Sequence, residues 1–400
     1  MTAAYLTNQP TSSEIQEKIE GYTSWLEIDL DAITHNLHEI RGRVGVEVMA
    51  VVKNNAYGHG LLPVAAHLSE NGISWFMVAK THEAMAIRDA GIPGHVVNMD
   101  AVFTESQFNA IVEKGITQVV YTKDIAKRLS AAASRAGKEA EVFVKVDTGL
   151  RRVGVDHSEA ADLIERVAAL PGVTVKGIFS TFMQNPEQDD AMLRRLLDVD
   201  GELRDRGIEI EFRSMGSSDA VFHNPDGWLD MVRPGMSLYG VFPEAKDVSS
   251  GLDLRQALAL KARIEHVKWV EKGDSVTYWG RFIAPRRMKV GTLHVGFYDG
   301  VPREMANKGR IKVGGEYRGS LGSVSLNHYL LDLTSTEASP GDVAEVIGRE
   351  GENSLVKMAE ASGWMVYSLM NHLNPFTPRV YLREGKPMAL LDLSPVGLSL

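Results

Sequence analysis

The chain has 400 residues, 44% hydrophobic and 24% charged, ordinary proportions for a globular protein of two or three domains. Its 52 acidic and 43 basic side chains give a net charge of −9 without long single-sign blocks, which argues against nucleic acid or an anionic membrane surface as partner. Cysteine is absent, which excludes disulfides, thiolate nucleophiles and cysteine-based metal sites.

In chain order, a polar start ("MTAAYLTNQPTSSEIQEKIE") lacks the apolar core of a secretory signal, and no apolar run is long enough to span a bilayer. A cytoplasmic enzyme is the expectation. "SWLEIDLDAITHNLHEIR" predicts a short strand at Trp25 to Leu30, then a helix capped by Asp31 with Ile33, Leu37 and Ile40 on one face. Eight apolar segments follow, at 46–52, 73–79, 95–99, 117–121, 140–146, 174–180, 208–214 and 230–235, separated by helical stretches such as "HEAMAIRDAG". Strands buried on both faces read as continuous apolar runs, and alternating β and α implies a parallel sheet. Eight such units predict a (β/α)8 TIM barrel over residues 30–243, a doubly wound open sheet being the alternative. Beyond residue 243 the pattern alternates polar and apolar residues and breaks at glycines, predicting a mostly antiparallel β domain over 244–390. The N-terminal strand, 24–30, is expected to join that second domain.

In a barrel, functional side chains stand at the C-terminal ends of strands. That rule selects Lys53, which ends the run in "EVMAVVKNNAYGHG", then Lys145, Asp147 and Arg152, then Ser180 and Thr181, then "SMGSSD", then Arg233 and Gly235. Four cations with two small hydroxyl- and glycine-rich loops suit an anionic, phosphorylated ligand. A buried lysine beside other cations has its pKa lowered and becomes a nucleophile toward carbonyls, so a phosphorylated aldehyde such as pyridoxal phosphate fits. Alone, Lys53 reads better as a strand-end lysine reaching solvent.

Several segments in order change that balance. "AVVKNNAYGHG", "WLEIDLDAITHNL", "VKVDTGLRRVGV", "DMVRPGMSLYG", "GFYDGVPR", "GSVSLNHYLLDL" and "TPRVY" together resemble the alanine racemase family over residues 25–381. The resemblance implies pyridoxal phosphate as cofactor, with Lys53 attached to it and Tyr57, Ser217, Gly235 and Met236 around its phosphate. It places Arg152 near the cofactor's phenolic oxygen, with Lys145 (carbamylated in some relatives) behind it, and Arg233 at the pyridine nitrogen. Tyr57 and the glycines of "YGHG" are expected to set the phosphate. The family implies a homodimer with composite active sites, an amino-acid substrate and no metal.

The chain departs from the pattern on the substrate side. The family's G-Y-x-D-G reads Gly296-Phe297-Tyr298-Asp299-Gly300, so phenylalanine stands where the acid–base tyrosine is expected. Leu326, Asn327, Ser323 and Thr181 replace other family residues, and "SMGSSD" differs from the usual loop. These departures leave three expectations. The first is a racemase or epimerase, for alanine or for another amino acid, with Lys53 and Tyr298 as the two bases; His294, His328 and His372 are further candidates. The second is a one-base enzyme of the same fold, an aldolase, transferase or β-eliminase. The third is a cofactor-binding protein with little activity.

Overall fold

The computed structural model describes residues 4–243 and 245–393; residue 244, where the expected second domain begins, lies outside them. Each of the eight apolar segments forms a strand: Glu47–Val51, Trp75–Val78, His95–Asn98, Thr117–Val120, Ala140–Asp147, Val173–Phe179, Phe212–Ser214 and Met231–Val232. They pair in parallel, in an order that runs from Met231–Val232 through Glu47–Val51 and on to Phe212–Ser214. The two ends of this path are drawn together by a parallel bridge between Ser217 and Arg233 and by the amide of Asp230 donating to Arg213 O. An ion pair between Arg213 and Asp230 holds the same seam. The sheet therefore closes nearly into the barrel that the sequence predicts, and the open-sheet alternative is set aside.

A second sheet of nine strands is built mostly from residues after 257 and is largely antiparallel. Strand Ser24–Asp29 lies inside it, antiparallel to Leu258–Val270 and parallel to Arg379–Arg383. Its Trp25, Leu26 and Ile28 are buried. The following helix, Leu30–Val44, buries Ile33, Leu37 and Ile40 as expected, but its cap is Asp29. The Asp29 carboxylate accepts the Ala32 amide at 3.1 Å, whereas Asp31 accepts the Glu384 amide instead. Near the end of the chain, two helices interrupt the strands, Leu355–Ser362 and Val366–His372. Glycine and tryptophan at 363 and 364 separate the two, which hid the second helix in a stretch without clear periodicity.

One apolar core runs continuously through barrel and β sheet. Polar clamps reinforce it. Arg379, fully buried, donates to Gly58 O at 2.7 Å and to Thr377 O, Pro375 O and Asn374 O. Tyr381 donates its hydroxyl to His59 O at 2.8 Å. Arg383 reaches Glu70 and the Nδ1 of His67, which must therefore accept, so the buried ring is neutral and burial lowers its pKa to about 4. No helix among the described residues is long and apolar enough to cross a membrane.

Candidate active site

The barrel's C-terminal end opens into a cavity of about 260 Å3 lined by Lys53, Tyr57, Lys145, Arg152, Thr181, Ser217 and Arg233 together with apolar side chains from several strands. Seven of the residues selected from the sequence thus meet in one place.

Local backbone chemistry sets Lys53 at this mouth. The strand ends at Val51, and Asn54, Asn55, Ala56 and Tyr57 then take left-handed conformations, with φ of 55°, 56°, 52° and 53°. A left-handed residue other than glycine costs roughly 1–2 kcal/mol, less for asparagine, which explains two asparagines at the start of the turn. The turn is held from outside. Glu83, on the helix after the second barrel strand, accepts the Asn55 amide at 2.8 Å, and the Asn55 side chain accepts the Leu61 amide at 2.9 Å. Glu83 also raises the pKa of Lys53, but burial and the charges of Arg152 and Arg233 outweigh it and lower that pKa. The amine is thereby shifted toward its neutral, nucleophilic form. In sequence "HEAMAIRDAG" shows only a helical pattern; an acidic residue buried in its first turn is visible only in the fold.

Tyr57 is buried, and burial together with Tyr367 keeps its phenol protonated, hence a donor. Gly235 passes so close to the Tyr57 hydroxyl that any Cβ there would overlap it. Ser218, not Ser217, accepts the amides of Gly235 and Ser237, at 2.9 and 3.4 Å, leaving Ser217 to face the cavity. Met236 opens the short turn Met236–Tyr239 behind this loop. The glycines of "YGHG" also meet the β domain: a Cβ on Gly58 would strike Met370 O, and one on Gly60 would overlap the Tyr381 hydroxyl. Both glycines, at φ of 84° and 99°, let the β domain close on the lysine loop.

Arg233 is buried, and its guanidinium donates to Ser214 Oγ, to Ser180 O at 2.6 Å and to Thr181 Oγ1 at 3.3 Å. Burial lowers its pKa, yet an arginine with this many acceptors stays charged at neutral pH. Lys145 donates to the same Thr181 hydroxyl at 3.1 Å and lies over the Phe179 ring. Burial first, then Arg233 and Arg152, push its pKa well below the usual lysine range. Thr181 therefore bridges two cations. Asp147 lines none of the cavity; it accepts the amides of Gly149 and Arg151 and so shapes the turn that presents Arg152.

Tyr298 lies elsewhere. It is 53% exposed and Phe297 is 40% exposed, both on a loop of the β domain and outside this cavity. His294 and His328 lie against Glu265, and His372 stacks edge-on to Trp364, none of them lining the cavity.

The family model described as "Alanine racemase, N-terminal domain" matches residues 28–243, and that described as "Alanine racemase, C-terminal domain" matches residues 257–381. The chain belongs to the alanine racemase family. Alanine racemase 2 of Caldanaerobacter subterraneus subsp. tengcongensis is 36% identical over 372 residues, covering 90% of this chain and 95% of the relative. The alanine racemase of Desulforamulus reducens is 35% identical, covering 90% of this chain and 98% of its own. Among solved structures, the alanine racemase of D-cycloserine-producing Streptomyces lavendulae superposes with a TM-score of 0.84 at 30% identity, over 90% of this chain and 97% of that one. The Clostridium difficile alanine racemase gives 0.88 at 26% identity, over 93% and 98%. The alternatives of an aldolase, transferase, eliminase or mere binding protein find no support among these relatives. The cavity fits the cofactor that membership in the alanine racemase family implies: converging cations, a lysine with depressed pKa, and a Tyr57–Gly235 contact that admits no side chain.

Proposed function

We propose that this protein is a pyridoxal-phosphate-dependent amino-acid racemase that works as a homodimer. The observation that carries the reading is Lys53, held with a lowered pKa in a cavity that also contains Tyr57, Arg152, Ser217 and Arg233. When bound, the cofactor supplies an aldehyde for the substrate amine and an electron-accepting ring that acidifies the Cα–H bond. Lys53 would attach the cofactor, and its amine would serve as the base on one face of Cα. Tyr57, Ser217, Gly235 and Met236 hold the phosphate, and Arg152 holds the phenolic side. Arg233 would face the ring nitrogen; a guanidinium does not give up its proton, so it would leave that nitrogen unprotonated and favour racemisation over transamination.

The second base comes from the partner's β domain in this reading. The loops there expose Tyr278, Trp279, Phe297, Tyr298, Leu326 and Phe376, a concentration of apolar surface that a monomer has reason to cover. Tyr298 is the ionisable residue beside Phe297 and is assigned the second proton transfer. Alanine is the reference substrate because the relatives are alanine racemases. The departures at Phe297, Leu326, Asn327 and Thr181 point to an amino acid other than alanine as a second candidate substrate.

Tyr298→Phe is expected to lower racemisation by on the order of 10²–10⁴-fold, with cofactor absorbance unchanged. Phe297→Tyr in that background should recover much of the loss. Chiral chromatography of product formed from each enantiomer reads both. Full activity in Tyr298→Phe would remove Tyr298 from the mechanism.

A further inference from the structure

We infer that Glu265, His294 and His328 form a binding site for a divalent transition-metal ion, separate from the Lys53 cavity. The three residues come from three neighbouring segments of the β sheet, and their placement follows from strand register. Strands Leu258–Val270 and Met288–Leu293 pair antiparallel, with Ile264 opposite Leu293 and His266 opposite Thr292. Two positions on one strand thus enclose one extra residue, Glu265, a β-bulge that turns its side chain out of the regular alternation. Leu293 in turn pairs with Tyr329, so the next step outward sets His294 across from His328.

At this corner Glu265 Oε2 lies 3.2 Å from His294 Nδ1 and 3.1 Å from His328 Nε2. All three ligand atoms fall within 4.8 Å of one another, and the two rings meet edge to face at 5.4 Å. Ligands bonded to one tetrahedral ion at 2.0–2.2 Å stand about 3.3 Å apart, so two edges of the ligand triangle are already at length. Two imidazoles and one carboxylate are the donor set of open zinc sites and of non-haem iron(II) sites. Nitrogen donors select this class over calcium or magnesium, which prefer all-oxygen shells. The side chains are between 40% and 47% exposed, so an ion held by these three keeps coordination positions open to solvent.

The site lies at the root of the loops that depart most from the family. Phe297 and Tyr298 donate their amides to Ser325 O and Leu326 O at 3.0 Å, and Ser325 donates to His328 O at 2.9 Å. A metal bridging His294 and His328 would fasten these two loops together and fix the orientation of Phe297, Tyr298 and Leu326. The absence of cysteine hid such a site from sequence reading, and the ligands are 29 and 63 residues from Glu265.

The test uses the tag-free holoenzyme, stripped with a chelator and dialysed. Titration with zinc sulfate should show one Zn2+ bound per protomer, and cobalt(II) chloride should give the visible absorption of a low-coordinate Co2+ site. Glu265→Gln, His294→Ala and His328→Ala should each weaken binding at least tenfold and abolish the cobalt spectrum, whereas His38→Ala, on an exposed helical position, should leave both unchanged. Zinc should raise the melting temperature of the wild type and not of the three variants, all of which should fold with unaltered circular dichroism. Absence of stoichiometric binding, or binding that survives all three substitutions, would overturn the assignment.

Discussion

Lys53→Ala is expected to eliminate borohydride-trappable cofactor and to lower racemisation by on the order of 10⁴-fold or more, since it removes both the attachment point and a positioned base. The left-handed turn after Lys53 fixes where the side chain starts, and Glu83 fixes the turn. Burial and the two guanidiniums of Arg152 and Arg233 disfavour the ammonium form, so the amine competes as a nucleophile at a pH below the ordinary lysine range. The sign for the pH profile follows: activity that needs neutral Lys53 declines as pH falls through its lowered pKa. Peptide mapping after reduction identifies the modified residue. Lys145 is the informative competitor, because it lines the same cavity and its pKa is also depressed. A reduced adduct that persists in Lys53→Ala and maps to Lys145 would show that the attachment residue has been misassigned.

Arg379→Met carries the largest expected cost in stability. Its guanidinium is fully buried and serves four carbonyls, one of which, Gly58 O, belongs to the lysine loop 321 residues away. Methionine fills the space but donates nothing, and each carbonyl left dry costs about 1–3 kcal/mol, partly relieved by relaxation. A loss of about 3–5 kcal/mol in urea unfolding is expected. Because Gly58 directly follows Tyr57, cofactor should dissociate more readily as well. Arg379→Lys should recover little, since an ammonium is a single point where the site needs a planar fork. Unfolding of Arg379→Met at the wild-type denaturant midpoint would contradict the role assigned to this clamp.

The barrel was legible because its strands are buried on both faces and so appear as apolar runs bounded by glycine-rich turns. The positions of Lys53, Lys145, Arg152 and Arg233 followed from a general rule about strand ends, and their convergence in one cavity follows from barrel closure at Ser217 and Arg233. What stayed hidden depends on contacts distant in sequence. Gly58 and Gly60 read in sequence as phosphate-loop glycines, and only the fold shows that Met370 O and the Tyr381 hydroxyl also require them. Glu83 sat in an amphipathic helix and showed no chemistry until the Asn55 amide appeared opposite it. Asp29 displaced Asp31 as helix cap because two acidic residues in succession offer the same local signal, and only strand geometry decides between them. The bulge at Glu265 has no sequence signature at all, since it is a mismatch in register between two strands.

The central claim, that Lys53 and a second base interconvert the enantiomers of an amino acid, is tested most directly by incubating each enantiomer of alanine and of larger amino acids with the holoenzyme in deuterated water. For the true substrate, deuterium should enter Cα of the product enantiomer from either direction, and both enantiomers should reach equal concentrations. Exchange into one enantiomer with retention, and no appearance of its mirror image for any amino acid, would contradict the account.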